Sequence, residues 1–181
     1  MDKSIIIFGS KYGTTKSYAQ ELSKRIGVNS ISYREIKSLT SYDTVIYLGG
    51  VYVGQILGLS KTLKKYPLNF NQSLIIVAVS LSDSKDATSF ERISNSLSKL
   101  LPLELFEKCK IFNLQGGLDY QKLNFLYKFM MRAVYKSAKK DTTKNESNGI
   151  ITMMENPDKK ISFVDFKSLN KIEDFIKKLS K

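Results

Sequence analysis

Short, continuous apolar runs alternate along this chain with segments whose apolar positions recur every three to four residues. The runs are Ser4–Phe8, Ser30–Tyr33, Thr44–Leu48, Leu74–Val79 and Lys110–Leu114. Several are β-branched without polar interruption, the pattern of strands covered on both faces. Between them, helical spacing predicts Thr15–Arg25, Leu57–Tyr66 and Ser89–Leu100. The last segment, Asp165–Leu179, sets Phe166, Leu169, Ile172, Phe175, Ile176 and Leu179 on one face, with Asp165 placed to cap it. Strand–helix alternation with short links implies parallel βαβ units in an open α/β sheet. No internal repeat or domain-sized linker interrupts the pattern, so residues 1–181 are expected to form one domain.

One region departs from the alternation. Tyr120–Lys140 mixes Leu123, Phe125, Leu126, Phe129, Met130, Met131, Val134 and Tyr135 with Lys128, Arg132, Lys136, Lys139 and Lys140. This is a basic amphipathic helix with a broad apolar face. It either packs on the sheet or meets a membrane surface or hydrophobic partner. Lys139–Pro157 follows as a polar loop, with Ile150–Met154 as a short extra strand. Helix and loop together span about residues 119–157.

Composition narrows the chemistry. A length of 181 residues, with 42% hydrophobic and 25% charged residues, suits a globular domain with a proper core. No apolar run approaches the ~20 residues that span a bilayer. Ile5–Phe8 is too short for a signal-peptide core, so the expected location is cytoplasmic, with peripheral contact on the inner membrane face as an extension. The chain has no histidine, which excludes a histidine triad, an imidazole metal site and histidine acid–base chemistry. The single cysteine, Cys109, cannot pair internally and is expected to be a buried thiol; no metal site is expected. Redox or group-transfer chemistry here therefore needs an organic cofactor, carboxylates or hydroxyls. The net charge of +12 points to an anionic partner or to a lysine-rich surface habit. No motif interleaves basic and aromatic residues as RNA-binding modules do, so no nucleic acid is expected.

The first strand ends at Gly9 and runs into Ser10, Lys11, Tyr12, Gly13, Thr14 and Thr15 before a helix. A small-residue loop between a strand and a helix start is an anion site, because backbone N–H groups and the helix dipole point into it. It lacks the Gly-Lys-Ser/Thr ending of a P-loop and the spacing of a dinucleotide fingerprint. Two more loops fall at the expected carboxyl ends of the strands, where doubly wound sheets bind ligands. One is Gly49–Gly54, with glycines for close backbone approach and Tyr52 to stack on a flat ring. The other is the polar Ser80–Asp86.

Ser10–Thr15 resembles the flavodoxin phosphate loop, Ser/Thr-x-Thr-Gly-x-Thr, through Ser10, Gly13 and Thr15; Tyr12 stands where threonine is usual. The blocks GSKYGTT, YDTVIYLGGVYVG and GGLDYQKLNFLYKFMMRAV, followed by a loop and FVDFKSLNKIEDFIKKL, resemble the menaquinone-dependent, oxygen-independent protoporphyrinogen oxidases of the flavodoxin-domain family. The fold this implies is flavodoxin-like: a doubly wound, five-stranded parallel sheet, order 2-1-3-4-5, with helices on both faces. The cofactor implied is FMN, with flavin N5 as the redox centre and no protein catalytic residue. By position, Ser10, Lys11, Tyr12, Gly13, Thr14 and Thr15 would take its phosphate. Gly50, Val51, Tyr52, Val53 and Gly54 would line one flavin edge, and Ser80, Leu81 and Ser82 the other. The function implied is electron passage from a bound substrate, such as protoporphyrinogen IX, through flavin to a quinone-type acceptor. A flavodoxin-like carrier docking on redox proteins is the alternative, and a flavin-free binding module a third. Tyr120–Lys140 would make the membrane contact.

Overall fold

Ile5 and Ile7 of strand β1 (Ser4–Gly9) belong to one apolar core and Ile6 to another, and none of the three is more than 2% exposed. The same division repeats on β3 (Thr44–Tyr52) and β5 (Ser73–Ser80): Val45, Tyr47, Leu74, Ile76 and Ala78 face one core, Ile46, Leu48, Ile75, Val77 and Val79 the other. Side chains alternate across a strand, so an unbroken apolar run supplies two cores at once. The computed structural model describes residues 3–52, 54–82, 86–119, 128–129, 131–133, 135–136, 155 and 160–179.

Five parallel strands lie in the order β2 (Ser30–Ser32), β1, β3, β5, β6 (Lys110–Gln115), which is the expected 2-1-3-4-5 arrangement. Helices cover both faces. On one face, α1 (Thr14–Ile26) and the terminal α5 (Asn170–Leu179) bring Tyr18, Ala19, Leu22, Ile172 and Ile176 onto the sheet. On the other, α2 (Leu59–Lys65), α3 (Ala87–Leu100) and α4 (Leu103–Lys108) bring Leu59, Ile93, Leu97 and Leu105.

The sheet has a sixth strand that periodicity does not reveal. β4 (Gln55–Ile56) turns back antiparallel on β3, pairing Val51 with Ile56 and Tyr52 with Gln55. The expected loop at Gly49–Tyr52 is therefore strand, and α2 starts at Leu59 rather than Leu57. The cause is long-range pairing: Gly49 and Gly50 continue the ladders to Gly9 and Val79, and β4 supplies partners for the residues beyond. A second sheet pairs β7 (Gly117–Asp119) with β8 (Lys160–Ser162). The strand expected at Ile150–Met154 and nearly all of the Lys139–Pro157 loop lie outside the described residues. So does most of Tyr120–Lys140, although Lys128, Phe129, Met131, Arg132, Ala133, Tyr135 and Lys136 are helical and Phe129 is exposed. Asp165 does cap, accepting from Lys167 N–H at 2.9 Å, but it caps a 3-10 turn, Phe166–Leu169, that leads into α5. Leu169, Ile172 and Ile176 of the expected face are buried, whereas Phe166 and Leu179 are exposed. Cys109 is half-buried rather than fully enclosed, and burial pushes its thiol up to about 12, which keeps it protonated and unreactive at neutral pH.

The corner carrying β4 onto α2 is fastened from below by Tyr47. Its hydroxyl, on a side chain with no exposure, donates to Leu57 O at 2.8 Å, while Leu57 N–H donates to Gly50 O at 3.0 Å. Burial holds this phenol above its ordinary value of 10.0, with Tyr33 adding to the shift and a Thr62 hydrogen bond opposing it. The raised value means that the folded state prefers the neutral phenol. That preference contributes fully below the unfolded pKa of ~10 and is lost as pH rises above it. Tyr47→Phe should cost about 1–2 kcal/mol at neutral pH through the lost bond to Leu57. Between pH 8 and 11, urea midpoints should fall more steeply in the parent chain than in Tyr47→Phe; parallel curves would contradict this account.

Candidate functional site

Strands β1, β3, β5 and β6 end at one level, because Gly9 pairs with Gly49, Gly50 with Val79, and Ser80 with Gln115. Helix α1 leaves toward one face of the sheet and α2 toward the other. The crevice above β1 and β3 is thus a topological switch point, where open α/β sheets take ligands.

The loop above β1 presents groups of a kind that suit an anion. Gly13 adopts φ 96°, a left-handed conformation that admits glycine easily, and space is open within 4 Å of where its side chain would stand. The turn is held by Gly13 N–H donating to Ser10 Oγ at 3.2 Å. Ser17 N–H makes the bond to Gly13 O at 2.9 Å, so the N–H groups of Thr14, Thr15 and Lys16 project from the helix start. No acidic residue occupies the first turn, and Lys11 and Lys16 are exposed beside it.

The hydroxyls divide differently from the sequence expectation. Thr14 Oγ1 donates away from the loop to Gly117 O at 3.1 Å, and Thr15 is 3% exposed. Ser10 remains, accepting from Gly13 while its own proton is available to a ligand. The Tyr12 hydroxyl is buried without a hydrogen-bond partner among the described residues. Outward backbone N–H groups, one hydroxyl proton, two cations and an unsatisfied phenol, with no carboxylate from Phe8 to Lys16, fit a phosphate monoester.

The second element meets the first through aromatic rings. Tyr12 and Tyr52 have centroids 6.2 Å apart at 58°. Tyr52 folds back over Gly50, where an added Cβ would lie 2.8 Å from the ring. Its ring is therefore tucked against its own strand beside the crevice. Gly50, Val51 and Tyr52 are strand residues, Gly54 sits exposed in the β3–β4 turn, and Val53 lies outside the described residues. Ser80 is the last residue of β5, and its carbonyl accepts from Gly116 N–H at 2.6 Å. Leu81 O accepts from Gln115 Nε2 at 3.3 Å, and Ser80 Oγ donates to Ser82 O at 3.5 Å.

Periodicity alone misses the residues that set the loops in place. Tyr18, 1% exposed on α1, donates to Gln115 O at 2.8 Å and accepts from Asp165 N–H at 3.0 Å. With Thr14 on Gly117, this stitches the start of α1 to the strand ends it serves. A tyrosine on the inner face of a helix is a visible signal, but its partners lie 97 and 147 residues away in sequence. Among the described residues no group of His, Cys, Asp and Glu could hold a metal, and no helix is long and apolar enough to cross a membrane.

Residues 5–145 match the family model described as the flavodoxin domain. No curated protein matches the chain. Among solved structures, it is similar to a protein assigned as a flavoprotein from Bacteroides eggerthii, at 14% identity over 62% of this chain and 87% of that one, with a TM-score of 0.48. A second such protein, from Bacteroides uniformis, shares 13% identity over 62% and 88%, with a TM-score of 0.45. Oxidised flavodoxin 2 from Bacillus cereus shares 14% identity over 85% of this chain and 99% of that one, with a TM-score of 0.37.

Proposed function

This chain belongs to the flavodoxin-domain family, whose cofactor is FMN, and from that premise we propose that it is an FMN-dependent oxidoreductase. In this reading it takes electrons from a small-molecule substrate and passes them to a quinone-type acceptor. The observation that carries the reading is the loop from Ser10 to Gly13, whose donors fit a phosphate monoester at the switch point of the sheet. Bound FMN supplies one- and two-electron redox chemistry at its isoalloxazine ring.

The protein's part is to bind and orient. The N–H groups of Thr14, Thr15 and Lys16, the Ser10 hydroxyl and the Lys11 ammonium would hold the phosphate. The backbone from Gly50 to Tyr52 would set one edge of the ring, and Ser80 to Ser82 the other. Leu81 O already engages Gln115 Nε2, so that loop is braced before any ligand arrives. Tyr12 and Tyr52 would flank the entry. With no histidine in the chain, proton movement at the ring would fall to solvent, hydroxyls or carboxylates.

Resemblance of the opening, middle and Gly116–Val134 blocks to menaquinone-dependent protoporphyrinogen oxidases supports protoporphyrinogen as the substrate. The net charge of +12 supports an acidic substrate and distinguishes this chain from ordinary acidic flavodoxins. Positive surroundings favour the anionic reduced ring over the neutral oxidised one, so the midpoint potential should lie above that of an acidic flavodoxin. The purified chain should be yellow and release FMN on denaturation. Protoporphyrinogen should bleach it and menadione restore the colour. Bleaching only by a reductase protein would favour the carrier, and a colourless chain that takes up no FMN would reject both.

A further inference from the structure

A groove runs between β4 and α2, on the outer side of Tyr52, with a volume of about 920 Å³. Tyr52, Ile56 and Leu57 supply its apolar side, and Lys61, Lys64 and Lys65 line the other. A second hollow of about 280 Å³ shares Ile56 and Ser60 with it and continues to Lys99. We propose that this groove binds a small organic anion with an apolar body, its acidic groups read by Lys61, Lys64 and Lys65.

The volume falls within the ~300–1,000 Å³ of small-molecule sites, and a concave hollow with an apolar wall suits such a ligand. The lysines stand at helix spacings of three and four, so they share one face of α2. They are exposed, and no ion pair engages them among the described residues; Lys65 Nζ lies 5.1 Å from the Tyr66 ring. The chain holds no Asp or Glu between Asp43 and Asp83, so neither β3, β4, α2 nor β5 carries a carboxylate to neutralise them. Three uncompensated cations on the rim of an apolar groove select an anion that brings its own hydrophobic surface.

Tyr52 is common to the groove and to the aromatic pair with Tyr12. A ligand in the groove would therefore adjoin the flavin ring, a placement that rests on the function proposed above. Anion binding itself does not depend on it.

Pyrenebutyrate and pyrenebutanol share a flat apolar body and differ in the carboxylate. Titrated by fluorescence anisotropy into the full chain as purified, pyrenebutyrate should bind about tenfold more tightly, in line with a few exposed ion pairs. Lys61→Gln/Lys64→Gln/Lys65→Gln should erase that difference. Lys24→Gln/Lys167→Gln/Lys178→Gln, which lowers the net charge equally on the α1 and α5 side, should preserve it. Equal affinity for the two probes, or equal losses in both triple variants, would overturn the proposal. Ser10→Asp, which disables the phosphate loop, should still bind pyrenebutyrate. Loss there would place the probe in the flavin crevice and overturn the groove, whereas a colourless chain that still discriminates the probes would reject the flavin and keep the groove.

Discussion

Ser10→Asp should abolish FMN binding at micromolar concentrations while leaving the chain folded. The new carboxylate can still accept the Gly13 N–H that Ser10 Oγ accepts at 3.2 Å, and its charge suits the start of α1. It also stands where the phosphate would. Two unit charges ~4 Å apart repel by about 4 kcal/mol at an effective dielectric of 20, close to three orders of magnitude in affinity. Titration by flavin fluorescence, paired with a thermal melt, reads both effects. A variant that binds FMN as the parent does would show that the phosphate lies elsewhere; a variant that melts early would show that the Ser10 turn is structural. Thr15→Ala is a second probe: with its side chain 3% exposed, Thr15 would serve chiefly through its N–H, so the alanine variant should lose far less than Ser10→Asp.

Gly9→Ala should be the most destabilising single methyl addition in the switch-point crevice. The added Cβ would lie 2.0 Å from Leu57 O and 3.0 Å from Leu57 C, both backbone atoms. Leu57 is fixed by Tyr47 from below and by Gly50 alongside, so no side-chain rotation relieves the clash. The β4–α2 corner must lift, at a cost of about 3 kcal/mol, the upper end for overpacking. Gly49→Ala makes a useful contrast, because its Cβ would meet Ile56 Cγ2 at 2.1 Å, a side chain that can be shortened. Gly49→Ala/Ile56→Ala should therefore cost less than the sum of its parts, whereas no partner substitution rescues Gly9→Ala. Urea unfolding of the parent, Gly9→Ala, Gly49→Ala, Ile56→Ala and the double variant gives the comparison, and a Gly9→Ala chain within ~0.5 kcal/mol of the parent, the usual spread of neutral substitutions, would refute the packing argument.

These two glycines show where reading along the chain reaches its limit. Gly49–Gly50 reads as an opening for a ligand to approach backbone. In the folded chain, Gly9 is pressed by Leu57 just beyond β4, Gly49 by Ile56 of β4, and Gly50 by the ring of Tyr52. The residue type was legible and the neighbour was not, because Leu57 and Ile56 arrive through a two-residue strand too short to leave a periodic trace. Lys61, Lys64 and Lys65 fall within the helix that spacing predicts at Leu57–Tyr66, but the groove beside them exists only once that strand folds back.

The sequence by itself determined the open parallel sheet and the glycine turn between the first strand and its helix, whereas the strand order followed from the resemblance to flavodoxins. Sheet and turn are encoded by near neighbours: unbroken β-branched runs that need cover on both faces, and a glycine ahead of a helix that must leave its first N–H groups outward. Tertiary structure decided which groups that loop keeps for a ligand. Thr14 spends its hydroxyl on Gly117, Tyr18 ties α1 to Gln115 and Asp165, and Tyr52 turns onto Gly50. Those choices depend on hydrogen-bond partners up to 147 residues apart, and only the closed fold brings them within reach.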